Sequence, residues 1–406
     1  MPFLSGRQRV PATDRQQVSK AASTTPVDAA RALAAGIRER AEHIERHRRL
    51  PAELALALAE AGLFRMCVPQ AFGGGEVSAA TMVEAIEEIA KADGSAGWCL
   101  MIGATSGLLS AYLPDATARE IYAQAPHVIT GGVFAPYGKA TVVAGGYRVT
   151  GRWPFASGCE HCTWLMGGSV ILDDGSPRLL PNGQADSRLM LFPAADAEII
   201  DTWTVSGLRG TGSHDIAVSD LFVPEGRSAS LLTDRPCQSG PLYAFPVFGL
   251  LALGIAGTAL GVARSAIDEL VQLAGAKTPT GSRKRLGERA VVQMHVAEAE
   301  ALLRSARAFL FDAIGDAWHA AQSAGAIAVT QRAVLRLAAT HATTSAAKVV
   351  DLMYNAGGGT SVYATSPLQR QFRDIHVVTQ HMMVAPATYE LTGRLFLGMD
   401  TDTTML

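Results

Sequence analysis

Two histidines near the C-terminus, in the run Arg373-Asp374-Ile-His376…Gln380-His381, are the side chains best suited to proton chemistry near neutrality. An unperturbed imidazole, with a pKa of ~6.5, both donates and accepts protons there. His381 could hold an acidic group of a substrate or deliver a proton; a packed helix histidine reads the same way. His376 stands five residues earlier, so on a helix of 3.6 residues per turn the two face different ways. A second cluster lies in mid-chain, where Trp153-Pro-Phe155-Ala-Ser157-Gly158 runs into Cys159-Glu160-His161-Cys162. Ser157 offers a hydroxyl, although Ser-Gly is also an ordinary β-turn pair. The cysteine run lacks the second ligand pair that a zinc site wants, and Cys67, Cys99 and Cys237 stand alone, so no metal is expected. His161 could face a substrate pocket instead. Trp98, Phe134, Trp153 and Phe155 could wall an aromatic ligand, while large aromatic side chains more often fill cores. Gly357 and Gly358 permit close backbone approach to a nucleotide, or a tight turn.

The elements that must position these residues follow from pattern. A chain of 406 residues allows two or three domains of ~100–200 residues, and 48% hydrophobic with 18% charged residues predicts a large packed core rather than disorder. After a tail over residues 1–24, Thr25-Pro26-Val27-Asp28 reads as a helix start, with an N-cap hydroxyl, a first-turn proline and an acid three residues on. Helices are expected to Arg48, from Pro51 to Gly62, and from Ser78 through Leu109 with a break at Asp93-Gly94. Between about Val128 and Val223, short β-rich runs are punctuated by glycine and proline. Ala140–Val143 and Tyr147–Thr150 flank Gly145-Gly146 as a hairpin. Such strands predict a small β-barrel or sandwich. Beyond it, a 3.6-residue period from Val291, a long run over Ala328–Tyr354 and a start near Pro367 predict, with a glycine-rich apolar helix before them, a four-helix bundle. The expected architecture is α+β: an N-terminal α-helical domain over 25–125, a central β-barrel over 126–240 and a C-terminal four-helix bundle over 241–406.

Composition narrows the function classes. A net charge of −2 and the absence of an extended basic run speak against nucleic acid as a partner. Pro236–Ala263 carries no charge, but its apolar part is shorter than the ~20 residues a spanning helix needs. Its pair Gly257 and Gly261 fits a close-packed core helix, so no membrane partner is expected. Five scattered cysteines and a polar, basic N-terminus without an apolar core predict a reducing, cytoplasmic location. There is no Rossmann or P-loop fingerprint.

Several local motifs, in this order of elements, resemble the acyl-CoA dehydrogenase family over nearly the whole chain. They are Leu50-Pro51…Gly62-Leu63 with Val68-Pro69…Gly73-Gly74, Gly207-Leu208-Arg209-Gly210-Thr211-Gly212-Ser213 with Phe222-Val223-Pro224, and Ala356-Gly357-Gly358 with Pro367-Leu368-Gln369-Arg370 and Arg373-Asp374. The resemblance implies a flavin between the barrel and the C-terminal bundle and a homotetramer whose neighbouring subunits complete the sites. Many dehydrogenases of the family carry a base in a Glu-Gly-Thr setting shortly after the Arg-Asp pair. This chain has no carboxylate after Asp374 until Glu390.

What remains is similar to the family's flavin-dependent monooxygenase branch. That likeness implies the oxygenase component of a two-component system, fed with FADH2 or FMNH2 by a separate NAD(P)H:flavin reductase. With O2 it would form a C4a-hydroperoxyflavin and hydroxylate a small, aromatic substrate. The resemblance places Ser157 at flavin N5, with Trp153, Phe155, Gly158, Phe134, Gly357 and Gly358 around the cofactor. One residue of the basic run Arg283-Lys284-Arg285 meets the diphosphate; a run of this kind is otherwise solvated surface. His381 is the expected catalytic histidine, and Trp98, His161 and His376 are expected to line the substrate pocket. N-oxidation of an amine or amino sugar by the same peroxide, an acyl-CoA dehydrogenase or oxidase, and a non-catalytic scaffold are the alternatives.

Overall fold

The computed structural model describes residues 25–124, 126–231 and 233–406; the tail expected over 1–24 lies outside the described residues. The chain opens with α1 (Pro26–His47), where the Thr25 hydroxyl oxygen accepts the Asp28 N–H at 3.2 Å and proline sits in the first turn. After α2 (Ala52–Glu60), the helices α3 (Ala79–Ala92) and α4 (Gly94–Ser106) meet at Asp93. Its extended backbone breaks the helix, and its carboxylate accepts the Ala96 N–H at 2.9 Å to cap α4. The short α5 (Asp115–Ala118) leads to the sheet.

The strands are β1 (Thr130–Val143), β2 (Gly146–Ala156), β3 (Trp164–Asp173), β4 (Ser176–Pro177), β5 (Ser187–Pro193), β6 (Glu198–Ile200), β7 (His214–Pro224) and β8 (Ser228–Ala229). They pair in the order β6-β7-β2-β1-β3-β5-β8, with β4 on β3. The β1–β3 pairing is parallel and the others are antiparallel. The β1–β2 hairpin turns at Gly145, whose φ of 79° is glycine territory.

The expected barrel does not close. The sheet ends in β6 and β8, of three and two residues, edges too short to carry the staggered pairing that closure requires. The open sheet instead buries both faces. Along β5, Met190 and Phe192 join Trp153, Ile171 and Ile216, while Leu189 and Leu191 turn to Val68, Phe72 and Tyr122 of the helical layer.

The C-terminal part comprises α6 (Val247–Ala276), α7 (Ala290–Ala324), α8 (Val329–Gly357), α9 (Pro367–Val378) and α10 (Ala387–Phe396). By length and composition α6 could cross a membrane, yet its most apolar window is 83% buried, with α3, α4, α8 and α9 packed about it. Its glycines make that possible. A Cβ on Gly261 would stand 2.4 Å from the Glu87 carbonyl oxygen, and one on Gly254 would stand 2.5 Å from Met101. Each leucine or isoleucine so enclosed contributes roughly 1.5–3 kcal/mol.

Candidate active site

The site is assembled where the turn after β2, the start of α4 and the turn after α9 converge. A bulge between Trp153 and Ala156 in the β2–β7 pairing puts Phe155 at φ 64° and turns its ring outward, 68% exposed, with its edge against Trp203. The same bulge sends Trp153 the other way. Its ring is fully buried in the sheet, its indole N–H donates to the Gly168 carbonyl at 2.6 Å, and Gly138, Gly151 and Gly167 make room for it. Trp153 is therefore a core residue, contrary to its expected place beside a cofactor.

Ser157 follows in a turn that is pinned by the Gly158 N–H donating to the Thr211 carbonyl at 2.8 Å. The Ser157 hydroxyl accepts the Trp98 indole N–H at 3.0 Å and lies 2.7 Å from the Ser213 hydroxyl. Ser213 is in turn 2.7 Å from the Thr211 hydroxyl, which donates to the Leu208 carbonyl at 2.8 Å. Leu208 is held at φ 48°, and its N–H donates to Asp374 at 2.6 Å. The glycine-rich segment 207–213 and the Arg373-Asp374 pair, far apart in sequence, thus touch directly; a Cβ on Gly207 would strike the Arg373 carbonyl oxygen at 2.2 Å. Burial, reinforced by the Asp93 carboxylate, pushes the Asp374 carboxyl up to about 7.

His381 lies past the end of α9 rather than on a helix, and its ring sits against Trp98 with centroids 5.7 Å apart. Its Nδ1 accepts the Met383 N–H at 3.2 Å, which leaves the proton of the neutral ring on Nε2. Burial, and then the nearby Arg336 charge, push its pKa down to about 4. At neutral pH it is a neutral hydrogen-bond donor, fit to hold a substrate oxygen. Arg336, which sequence reasoning missed, reaches from α8 to donate to the Met383 carbonyl at 3.0 Å and to the Met405 carbonyl, so it fixes the His381 turn.

The other expected site residues divide. His161 sits over Gly158, where a Cβ would lie 2.7 Å from its Nε2, and burial pushes its pKa down to about 4. It also walls a cleft of about 780 Å³ that His43, His47, Leu50, Ile129 and Thr163 line. Phe134 meets Phe248 of α6 edge-on at 6.2 Å, joining sheet to bundle. His376 is elsewhere. It bonds Asp351 of α8 at 2.9 Å and packs on Phe372, so it does not reach the Ser157–Trp98–His381 group. Arg283 lies in the loop before α7. Gly357 ends α8, 21 residues beyond Arg336, which is roughly 30 Å along the helix.

A reduced flavin fits the residues present. Ser157 keeps an unused acceptor position for an N–H, and the outward ring of Phe155 offers an aromatic face. Gly358 and Gly359 have open space where side chains would be, beside Lys277, whose ammonium donates to the Gly357 carbonyl at 2.9 Å. Thr211 and Ser213 could have been suspected from sequence, since both lie in the glycine-rich segment 207–213. Nothing in the spacing links them to Ser157.

Comparison with known proteins gives the class. The family descriptions "Acyl-CoA dehydrogenase, N-terminal domain" and "Acyl-CoA dehydrogenase, C-terminal domain" match residues 25–120 and 253–386. The chain belongs to the acyl-CoA dehydrogenase family, in its flavin-dependent monooxygenase branch. It is 36% identical over 370 residues to the indole-3-acetate monooxygenase of Pseudomonas putida, covering 90% of this chain and 92% of that one. It is 30% identical to the flavin-dependent monooxygenase oxygenase subunit HsaA of Mycobacterium tuberculosis, covering 91% and 94%. The structure of XiaF from Streptomyces sp. in complex with FADH2 and glycerol superposes with a TM-score of 0.84 at 26% identity, covering 93% and 96%.

Proposed function

We propose that this chain is the oxygenase component of a two-component flavin-dependent monooxygenase that hydroxylates a small aromatic substrate. The observation that carries the reading is the single group in which Trp98 holds Ser157 through its N–H and His381 against its ring. Reduced flavin, when bound, supplies the electrons that activate dioxygen. Ser157 would accept the N5–H of a bound reduced flavin, and its burial would keep water from that contact, which would favour oxygen transfer over loss of hydrogen peroxide. His381 donates from Nε2 to the substrate, and Trp98 walls the ring. His161 lines the approach, and Phe134 with Phe155 and Gly158 shapes the cofactor side.

The name indole-3-acetate monooxygenase supports an aromatic ring such as indole as the substrate. The words oxygenase subunit support a separate partner component, which we infer to be an NAD(P)H:flavin reductase, and the FADH2 bound to XiaF supports reduced FAD, with FMN the alternative flavin. Arg283, Gly357 and Gly358 take the cofactor's phosphate end. The separation along α8 of Gly357 from Arg336, which fixes the His381 turn, supports a site completed by a second protomer of a homotetramer. Exposed Val362 and Tyr363 beside the glycines, and Met382 beside His381, supply apolar surface for that contact. Five free thiols support a reducing, cytoplasmic setting.

The test is turnover with chemically reduced FAD or FMN, isotopically labelled dioxygen, and indole-3-acetate with simple phenols. A product carrying one labelled oxygen atom is expected. Reoxidation at the free-flavin rate with every substrate and no labelled product would sink the reading. Sedimentation of the loaded protein checks the tetramer.

A further inference from the structure

The hydroxyl chain behind Ser157 takes its direction from its two ends. The Trp98 indole N–H can only donate and the Leu208 carbonyl can only accept. The Leu208 carbonyl accepts the Trp203 indole N–H and the Thr211 backbone N–H, both at 3.1 Å. The Thr211 hydroxyl makes the shortest contact with it, at 2.8 Å, so the single hydroxyl proton of Thr211 is spent there. The 2.7 Å contact between Thr211 and Ser213 therefore uses the proton of Ser213. The 2.7 Å contact between Ser213 and Ser157 then uses the proton of Ser157. With Trp98 on one lone pair, Ser157 is left with one lone pair and no proton to give.

We propose that Thr211 and Ser213 are positioning residues that set Ser157 as an acceptor, and so make the site select reduced flavin over oxidised flavin. The inference rests on the reading that Ser157 faces flavin N5. Reduced flavin carries a hydrogen on N5, and oxidised flavin presents a bare lone pair there. For Ser157 to donate to the bare nitrogen, Ser213 would have to donate to Ser157. The Ser213–Thr211 contact would then be two oxygens without a proton, or Thr211 would have to leave the Leu208 carbonyl. Ser157, Ser213 and Thr211 are 6%, 3% and 1% exposed, so bulk water does not replace the lost bond. One neutral hydrogen bond corresponds to roughly fivefold to tenfold in Kd.

The experiment is equilibrium binding of oxidised and, anaerobically, of reduced flavin to the full chain and to Ser213→Ala, Thr211→Val and Ser157→Ala, each read as the ratio of the two Kd values. Ser213→Ala and Thr211→Val each free the Ser157 proton to turn toward the flavin, so the preference for reduced flavin should fall by roughly fivefold to tenfold. A merely structural role would weaken both forms alike and leave the ratio unmoved. An unchanged ratio in Ser213→Ala and Thr211→Val, with a changed one in Ser157→Ala, overturns the relay. An unchanged ratio in Ser157→Ala overturns the placement of Ser157 as well. Two variants at different links keep the test decisive if either fails to fold.

Discussion

The indole of Trp98 and the imidazole of His381 meet with their planes inclined at 59°. A side chain from the first turns of α4 therefore touches the turn after α9, and its N–H reaches the turn after β2. Asp93 caps α4 and Arg336 fixes the turn around Met383, so two buried ionisable groups hold the two rings in register.

Replacing His381 with alanine removes the Nε2 donor without touching the hydroxyl chain. Product formation should fall by about 100-fold, the size of losing one well-placed donor, while reduced-flavin affinity changes little. Turnover and flavin binding measured side by side decide it; equal loss of both would assign His381 a structural role.

In the proposed binding mode, Ser157→Ala would leave the flavin N5–H without its acceptor. The ratio of hydrogen peroxide to product should rise by roughly tenfold, as expected for the loss of about one hydrogen bond. A coupling ratio equal to the parent's would remove Ser157 from the mechanism.

Asp374 supplies a pH prediction. Its folded-state carboxyl is raised to about 7, so its contribution is fully present below the unfolded carboxylate value and is lost as pH rises through about 7. Asp374→Asn keeps an oxygen for the Leu208 N–H and cannot ionise. Denaturant midpoints should show the variant gaining stability over the parent as pH rises, on the order of 4 kcal/mol more near pH ~8 than near pH ~4. A difference independent of pH would refute a buried ionising carboxyl there.

Gly261→Ala should destabilise the chain by roughly 1–3 kcal/mol, because the new methyl meets both the Glu87 carbonyl at 2.4 Å and the Ala90 Cβ at 2.7 Å. Gly275→Ala, farther along the same helix with open space at its Cβ, is the control and should be neutral or slightly stabilising. Similar thermal shifts for the two would contradict the close α3–α6 packing.

Legibility followed the range of the interaction. The start of α1, the Asp93 break and the Gly145 turn rest on a few adjacent residues, and all three are as the sequence reads. Trp153 was placed beside the cofactor by the motif it shares with the family, and a motif carries no face: Trp153 is fully buried in the sheet, and the bulge at 153–156 is invisible in residue types. The helix expected to carry His381 stops at Val378, so the different-face argument against His376 did not apply, although His376 does point away, to Asp351.

The sequence by itself determined the order of helices and strands, the family, and which hydroxyls and imidazoles were available, because local propensity and motif spacing act over a few residues. Whether the sheet closed was decided by the lengths of its two edge strands, which only pairing reveals. The direction of the hydroxyl chain was also a tertiary matter. It needs a donor from α4, a serine after β2, two hydroxyls from 211 and 213 and a carbonyl at 208, held within hydrogen-bond reach of one another. Hydrogen bonds fall off within a fraction of an ångström, so no spacing along the chain could have specified them.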